Sequence, residues 1–243
     1  MIRILITLLN VFIFISCLAQ QGIEVKYAYK PTFNVEKSGN ELIDNTLKSA
    51  ELFLPNLPFV LKANAENSSF RIEKGMSVDE SNKFNLKLML ILTELNAEIF
   101  NDVKTNITTI EKEYSGEKRR LENEFSVYKW QIHNQEKIIL GYTCQKATTY
   151  VEIKTRSQEI INRKVTAWFC KSLPYPFGPT IFRGLPGLIL EVHYDHDLGY
   201  ILKAENIELI DKTEVDLPNK KVKIITQEEI EKRIQNSKNF FGM

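Results

Sequence analysis

The chain of 243 residues has 32 basic and 31 acidic side chains, and 43% of its residues are hydrophobic, which suits a globular protein with a full apolar core. Its net charge of +1 gives no reason to expect nucleic acid or an anionic membrane as a partner. With three histidines and no nucleophile–base arrangement that stands out, we predict no catalytic residue, no metal site and no cofactor.

The first 19 residues are predicted to be a signal peptide. Arg3 precedes an apolar stretch at 4–15, and small residues follow at Ser16 and Ala19, which is the order of a secretory signal. A buried core helix is the other explanation, but a position directly after a basic residue at the N-terminus favours export. The stretch is shorter than the ~20 apolar residues of a spanning helix. No later segment is long enough either, so we expect no transmembrane segment in the mature chain.

Two processing routes follow from this N-terminus. Cleavage after Ala19 would release a soluble periplasmic or secreted protein, with a single domain at 20–243. Alternatively, "FISC" resembles a lipobox, and lipid on Cys17 would anchor the protein to a membrane. Phe14 stands where leucine is usual in a lipobox, so we favour the soluble product.

The pattern of apolar residues predicts mainly strands, with a few helices between them. In the first half we expect a strand at 22–31, a helix at 40–53, a hairpin at 58–75 that turns at 64–67, and a helix at 80–100. The last of these also fits a strand, but its length favours a helix. Its predicted apolar face consists of Phe84, Leu88, Ile91, Leu92 and Leu95.

The second half is predicted to be an antiparallel meander followed by a strand pair. The meander runs from Phe100 to Cys170, with polar breaks at "SGEK", "HNQEK" and "KTRSQE", and His133 would lie beside a turn. The strand pair follows at 188–194 and 199–210. A C-terminal helix at 226–240 begins with capping-box spacing between Thr226 and Glu229. Together the elements indicate a β-dominated α+β fold, in which hairpins build a curved antiparallel sheet with one to three helices.

Two cysteines remain after removal of the signal, Cys144 and Cys170, and both fall in predicted strands around "KTRSQE". In a hairpin centred on Ser157 these two residues would face each other across neighbouring strands, near the separation that a disulfide requires. An even count in an oxidising compartment favours a bridge. Two buried free thiols are the alternative, and no basic neighbour is evident that would make either thiol catalytic.

The stretch "FRGLPGLILEV" at 182–192 is predicted to be a turn that leads into a buried strand. Pro186 would fix φ at the first central position of a type II turn, and Gly187 would supply the positive φ at the second. Gly184 would let the backbone approach another element closely. The apolar run from Leu188 suits a central strand, and the stretch has neither the lysine of a phosphate loop nor the serine of a nucleophile elbow.

With the export signal, these residues resemble the GLPGLI family of exported bacterial proteins. The resemblance covers most of the mature chain, and its landmarks are Trp130, "KIILGYTCQKATT" at 137–149, "TAWF" at 166–169 and the name motif Gly184, Leu185, Pro186, Gly187, Leu188 and Ile189. Cys170 stands where the family more often has a hydroxyl residue, so a bridge would belong to this branch. The family has no established activity, so the resemblance implies no catalytic residue.

Two other segments carry candidate chemistry. "HYDHDLG" at 193–199 holds two histidines and two aspartates, but only a distorted turn could gather them around a metal ion, and a hairpin turn explains them as well. The proline-rich loop at 171–183 offers Tyr175, Phe177 and Phe182, which would line an apolar pocket, dock a partner, or simply cover the end of the sheet.

We therefore expect an exported cell-envelope protein that is a non-catalytic binding or carrier module, with an apolar ligand beneath the loop at 171–183. The alternative is an interaction or assembly factor whose loop docks another envelope protein. A hydrolase is the third hypothesis, and polar side chains that converge in a cleft would favour it.

Overall fold

The computed structural model describes residues 21–33, 41–73, 80–114, 116–125, 128–154, 159–196, 198–230 and 232. The predicted signal peptide, Cys17 and the end of the predicted C-terminal helix lie outside these residues. Among the described residues, no helix has the length and the apolar composition that crossing a membrane requires.

The described strands form one open antiparallel sheet of eleven strands, so the β-dominated, antiparallel class is confirmed, in a sheet larger than a set of hairpins suggests. The order across the sheet is β6-β5-β4-β3-β2-β1-β11-β10-β9-β8-β7, so the first and last strands pair at its centre. The strands are β1 (Gln21–Pro31), β2 (Phe59–Ala63), β3 (Asn67–Ile72), β4 (Glu98–Asp102), β5 (Ile107–Tyr114), β6 (Glu117–Glu124), β7 (Gln131–Ile139), β8 (Tyr142–Lys154), β9 (Ile160–Cys170), β10 (Leu188–Tyr194) and β11 (Tyr200–Asp211).

The register of the β8–β9 hairpin agrees with the sequence prediction. Gln145 pairs with Phe169 and Lys154 with Ile160, so the pairing is symmetric about Ser157, which itself lies outside the described residues.

The predicted break at "HNQEK" is wrong, because His133 lies within β7, where the β7–β8 ladder shifts register. The true turn is the two-residue hairpin Leu140–Gly141, whose φ angles of 50° and 82° match a type I′ turn.

Two helices follow the predictions at their starts, α1 (Glu41–Phe53) and α2 (Glu80–Leu92). The prediction that α2 continues to residue 100 is wrong. The helix stops in a Schellman arrangement: Glu94 has φ 60°, the Leu95 N–H donates to the Leu90 carbonyl, and the Glu94 N–H donates to the Ile91 carbonyl. The left-handed residue after a helix is usually glycine. Because this residue is a glutamate here, the sequence does not indicate that the helix ends at this point.

The predicted apolar face of α2 is wrong in part: Leu95 is buried and Leu88 is half-buried, but the other three residues are exposed. Phe84 is 62% exposed and Ile91 48% exposed, whereas Leu86 and Met89 are buried. The reason is a polar contact with α1, where Asn85 lies between Thr46 and Ser49 at 3.4 and 3.3 Å and sets the rotation of the helix.

One face of the sheet, here called the core face, carries a row of packed aromatic rings. Because side chains alternate along a strand, Tyr27 and Tyr29 of β1 point to this face together with rings of the neighbouring strands. The row runs through Phe70, Phe59, Tyr29, Tyr200, Tyr194 and Phe182, with centroid separations of 5.7 to 6.3 Å between successive rings. On the same face, the Tyr27 hydroxyl donates a hydrogen bond to the Ile189 carbonyl at 2.7 Å.

The chain after β11 runs through a short 3₁₀ turn, Lys212–Glu214, to a segment that we call the C-terminal strap, residues 215–225. Residues 227–230 and 232 are helical, and the predicted capping box is confirmed. The Glu229 N–H donates to Thr226 Oγ1 at 3.2 Å, and the Thr226 N–H donates to Glu229 Oε2 at 2.9 Å.

Candidate functional site

The loop at 171–183 is a lid on the core face. Tyr175, Phe177 and Phe182 are buried, at 5%, 1% and 3% exposure. The lid is fixed to β10 by backbone hydrogen bonds from the Leu188 N–H to the Leu173 carbonyl and from the Ile189 N–H to the Phe177 carbonyl, both 2.9 Å. The three rings thus fill the interior with the protein's own side chains and present no exposed aromatic patch.

The two glycines of the name motif have the opposite roles from those predicted, which were a positive φ at Gly187 and a close backbone approach at Gly184. Gly184 has φ 86° and open space around its Cα, so this glycine supplies the left-handed backbone. Gly187 makes the close approach: an added Cβ would lie 2.1 Å from the Cys170 carbonyl oxygen. Pro186 is the centre of a three-residue turn closed by the Gly187 N–H and the Leu185 carbonyl at 2.8 Å, so the predicted type II turn is wrong.

A buried carboxylate lies on the face opposite the core. Glu191 of the central strand β10 is 4% exposed. Lys137 Nζ reaches its Oε1 at 2.6 Å from β7, and His193 Nε2 contacts the same oxygen. Lys137 also lies over the ring of Trp168, 4.3 Å from the centroid. Glu191 is not among the site residues predicted from the sequence, although a charged residue inside the apolar run "LILEVHY" is the signal that marks it.

The electrostatics of this cluster favour the ionised carboxylate. Burial alone would raise the pKa of Glu191, but hydrogen bonds from His193 and Lys137, with their charges, outweigh burial and lower that pKa. Lys137 and His193 both contact the carboxylate of Glu191, and the Glu191 side chain is 5% exposed. The arrangement is that of a structural ion pair, since a general acid or base must reach a substrate.

The histidines and aspartates of "HYDHDLG" do not converge. His193 contacts Glu191, while His196 accepts a hydrogen bond from the Leu198 N–H at 3.0 Å and packs on the Tyr194 ring at 4.8 Å. Asp197 lies outside the described residues. Within the residues that are described, no group of three or more His, Cys, Asp or Glu side chains is placed to hold a metal ion. His133 contacts Thr148 Oγ1 at 2.7 Å.

Cys144 and Cys170 are free thiols in this structure, and both are fully buried. Cys144 Sγ lies 3.6 Å from the Tyr142 carbonyl, and Cys170 Sγ lies 3.0 Å from Ser172 Oγ. Their bridge remains a prediction.

The C-terminal strap crosses the other half of the opposite face, over β3 to β6. Asp216 pairs with Arg71 at 3.0 Å, and the Asn219 N–H donates to Glu111 Oε1 at 2.8 Å. Further along, the Ile225 N–H donates to the Arg120 carbonyl at 2.9 Å, which attaches the strap to β6, the edge strand.

Cavities lie on both sides of the strap, and we call them together the strap cleft. One cavity of about 560 Å³ includes Arg71, Glu98, Glu111 and Lys118 in its lining. The other, of about 350 Å³, is lined by residues such as Asp102, Thr109, Arg120 and Glu122. Phe100 and Leu217 border both cavities.

The charges of the strap cleft are paired but not all buried. Lys118 Nζ contacts Glu98 at 2.9 Å and the buried Glu111 at 3.1 Å. Burial alone would lower the pKa of Lys118, but its hydrogen bonds to Glu98 and Glu111 raise it, so the lysine stays charged. The cleft thus offers both signs of charge beside an apolar wall. Sequence reasoning missed it, because "DLPN" at 216–219 reads only as a connection after β11.

Comparison with known proteins gives a family of unknown function and a fold. A family model described as a protein of unknown function (Porph_ging) matches residues 154–191, which include Cys170, the name motif and Glu191. The chain is therefore similar to an uncharacterised family over this stretch. No curated protein matches the sequence.

Solved structures of PNGF-II in the C2 and P21 space groups resemble the chain, each with a TM-score of 0.54 and with 15% and 13% sequence identity. The resemblance covers 90% of this chain but 33% and 34% of theirs, so the chain spans about a third of the length of PNGF-II. At such identities the similarity shows the fold alone.

Proposed function

We propose that the protein is an exported member of the GLPGLI family that acts as a non-catalytic binding module of the cell envelope, with its ligand in the strap cleft. The observation that carries the proposal is the pair of cavities, about 560 and 350 Å³, that flank an extended segment of the protein's own chain. These volumes fall in the range of small-ligand sites. The lid on the core face supports the same choice, since its own rings fill the space where an apolar ligand was expected.

The lining of the cleft indicates the chemistry of the ligand. Arg71, Lys118 and Arg120 alternate with acidic side chains, and Phe100 and Leu217 add apolar surface between them. Such a surface suits a peptide segment that carries both charges and at least one apolar side chain. Leu217 is 67% exposed at the border of both cavities, so it is the apolar contact that an incoming ligand meets first.

We expect a Leu217→Ala variant to lose about tenfold in retention of peptides, because removing an apolar contact at a binding surface costs roughly 1–2 kcal/mol. The measurement exposes the immobilised mature protein to a tryptic digest of envelope proteins and identifies the retained peptides by mass spectrometry. Leu209→Ala is the matched control, since Leu209 is 64% exposed on β11, away from the cleft. Equal retention by both variants would contradict the assignment of the cleft.

A second function has its own observation. Helix α2 exposes an apolar stripe of Phe84, Ile91 and Leu92, at 62%, 48% and 42% exposure, whose spacing follows one face of a helix. Exposed apolar stripes mark surfaces that dock other proteins. If peptide retention fails in the wild type, the interaction or assembly factor becomes the better proposal, with this stripe in place of the loop at 171–183.

The proposed export has a direct test. We expect the denatured mass of protein purified from the cell envelope to correspond to a chain that begins at Gln20, because the residues around Ala19 suit cleavage by a signal peptidase. A mass that begins at Cys17 and carries lipid would favour the anchored form, and a mass that includes Met1 would contradict export.

A further inference from the structure

Cys144 and Cys170 lie on neighbouring strands, one residue beyond the last pair of the β8–β9 ladder. That ladder pairs Gln145 with Phe169, and one further step in the same register would set the two cysteines opposite each other. Directly opposed residues of an antiparallel pair have Cα atoms about 4.5–5.5 Å apart, and a disulfide spans about 4.4–6.8 Å between Cα atoms. Both side chains point to the face opposite the core, as the alternation along each strand requires.

The two thiols also interact electrostatically. Burial, with a smaller contribution from the nearby Cys170, raises the pKa of the Cys144 thiol to about 12, against an opposite effect of Lys137. In the reduced protein Cys144 has weak polar contacts with the Tyr142 carbonyl and with the Ile139 backbone, and Cys170 has one with Ser172 Oγ. Closing a bridge would therefore break no strong hydrogen bond.

We propose that Cys144 and Cys170 form a disulfide in the cell, and that it closes during folding, before β7 and β10 dock beside β8 and β9. The proposal rests on the proposed export, because disulfides persist in oxidising compartments. The thiolate of one cysteine attacks a disulfide oxidant, which forms a mixed disulfide and releases one half of the oxidant as a thiol. The thiolate of the other cysteine then attacks the protein sulfur of the mixed disulfide and displaces the second half. Two thiols lose two protons and two electrons, and the oxidant leaves as two thiols.

The order of events follows from what covers the sulfur atoms. Lys137 of β7 pairs with Cys144, and Leu188 of β10 pairs with Cys170. The Gly187 Cα packs on the Cys170 carbonyl, so close that a Cβ there would lie 2.1 Å from its oxygen. Once these neighbours are in place both cysteines are 0% exposed. A thiol of raised pKa without solvent access does not exchange, so the folded protein should resist oxidation.

The first test counts free thiols. Mature protein from the cell envelope is unfolded in urea with N-ethylmaleimide and weighed, with and without prior reduction. We expect no adduct before reduction and two adducts after it. The Cys170→Ser variant is the control and should take up one adduct in both cases. Two adducts on the unreduced wild-type protein would overturn the proposal that the cell forms the bridge.

The second test needs no export, so its failure is distinguishable from that of the proposed function. Reduced protein is either refolded first and then given oxidised glutathione, or refolded with oxidised glutathione present. We expect the bridge only in the second case, with oxidation of the prefolded protein slower by a hundredfold or more. Equal rates would overturn the proposed order, and failure to bridge in either case would overturn the pairing.

Discussion

A Gly187→Ala variant is expected to lose about 3–5 kcal/mol of unfolding free energy, among the largest effects that a single substitution produces. The added methyl would lie 2.1 Å from the Cys170 carbonyl oxygen and 2.6 Å from its carbon. Both contacts are with backbone, so no side chain can turn away to relieve them. Either β9 or β10 must move, and this disturbs the Leu188–Cys170 pairing in the interior of the sheet.

The matched control is Gly184→Ala, three residues earlier. Its Cα has open space around it, and only the φ of 86° opposes a side chain, which costs about 1–2 kcal/mol. Urea unfolding followed by tryptophan fluorescence gives both values. If Gly187→Ala were no more harmful than Gly184→Ala, the close approach of the motif to β9 would be wrong.

A Lys137→Met variant is expected to destabilise the protein by about 2–3 kcal/mol. Removing one partner of a buried ion pair costs about 3–5 kcal/mol, and the side chain of Lys137 is 32% exposed, which reduces the loss. Glu191 would keep His193 but lose the lysine contact at 2.6 Å. The double variant Lys137→Met with Glu191→Leu should recover most of the loss, since no unpaired charge remains buried.

This ion pair also predicts a pH dependence. The pKa of Glu191 in the folded protein lies below its ordinary value, so as the pH falls the folded state takes up this proton at a lower pH than the unfolded chain does. Its stabilising contribution is therefore complete above the unfolded pKa and disappears as the pH falls through the folded pKa. We expect the difference in unfolding free energy between wild type and Lys137→Met to shrink as the pH drops below about 4.

The control for the ion pair is Lys203→Met. Lys203 is the register partner of Glu191 on β11 but points an exposed side chain to solvent. We expect a change within about 0.5 kcal/mol. A loss equal to that of Lys137→Met would mean that general charge at this face, and not the specific contact, stabilises Glu191.

Local pattern predicted those parts of the fold that local interactions determine. The alternation of residues 22–31, the hairpin at 58–75 and the capping box at Thr226 all depend on neighbours a few residues away. The register of β8 and β9 was also predictable, because two cysteines and one polar turn leave a single symmetric alignment.

Other features depend on distant partners and could not be predicted in this way. The rotation of α2 depends on Thr46 and Ser49, more than thirty residues away in the chain. The need for glycine at 187 is set by the Cys170 carbonyl, and Glu191 is tolerated only because Lys137 reaches it from β7. The strap cleft is the extreme case, since the segment 215–225 has no regular pattern and acquires its role from strands more than ninety residues earlier.

The pairing of the first strand with the last has a kinetic consequence. Among the described strands, nine of the ten pairings join neighbours in the chain, and only β1 with β11 joins residues almost two hundred positions apart. Each meander can therefore form from local contacts, while joining them requires closure of nearly the whole chain, which is the slow step in proteins of high contact order. Until β11 is available, β1 and β10 remain unpaired edges. The chain is thus most prone to aggregate, and most dependent on protection, after β10 has been synthesised and before β11 has paired with it and with β1.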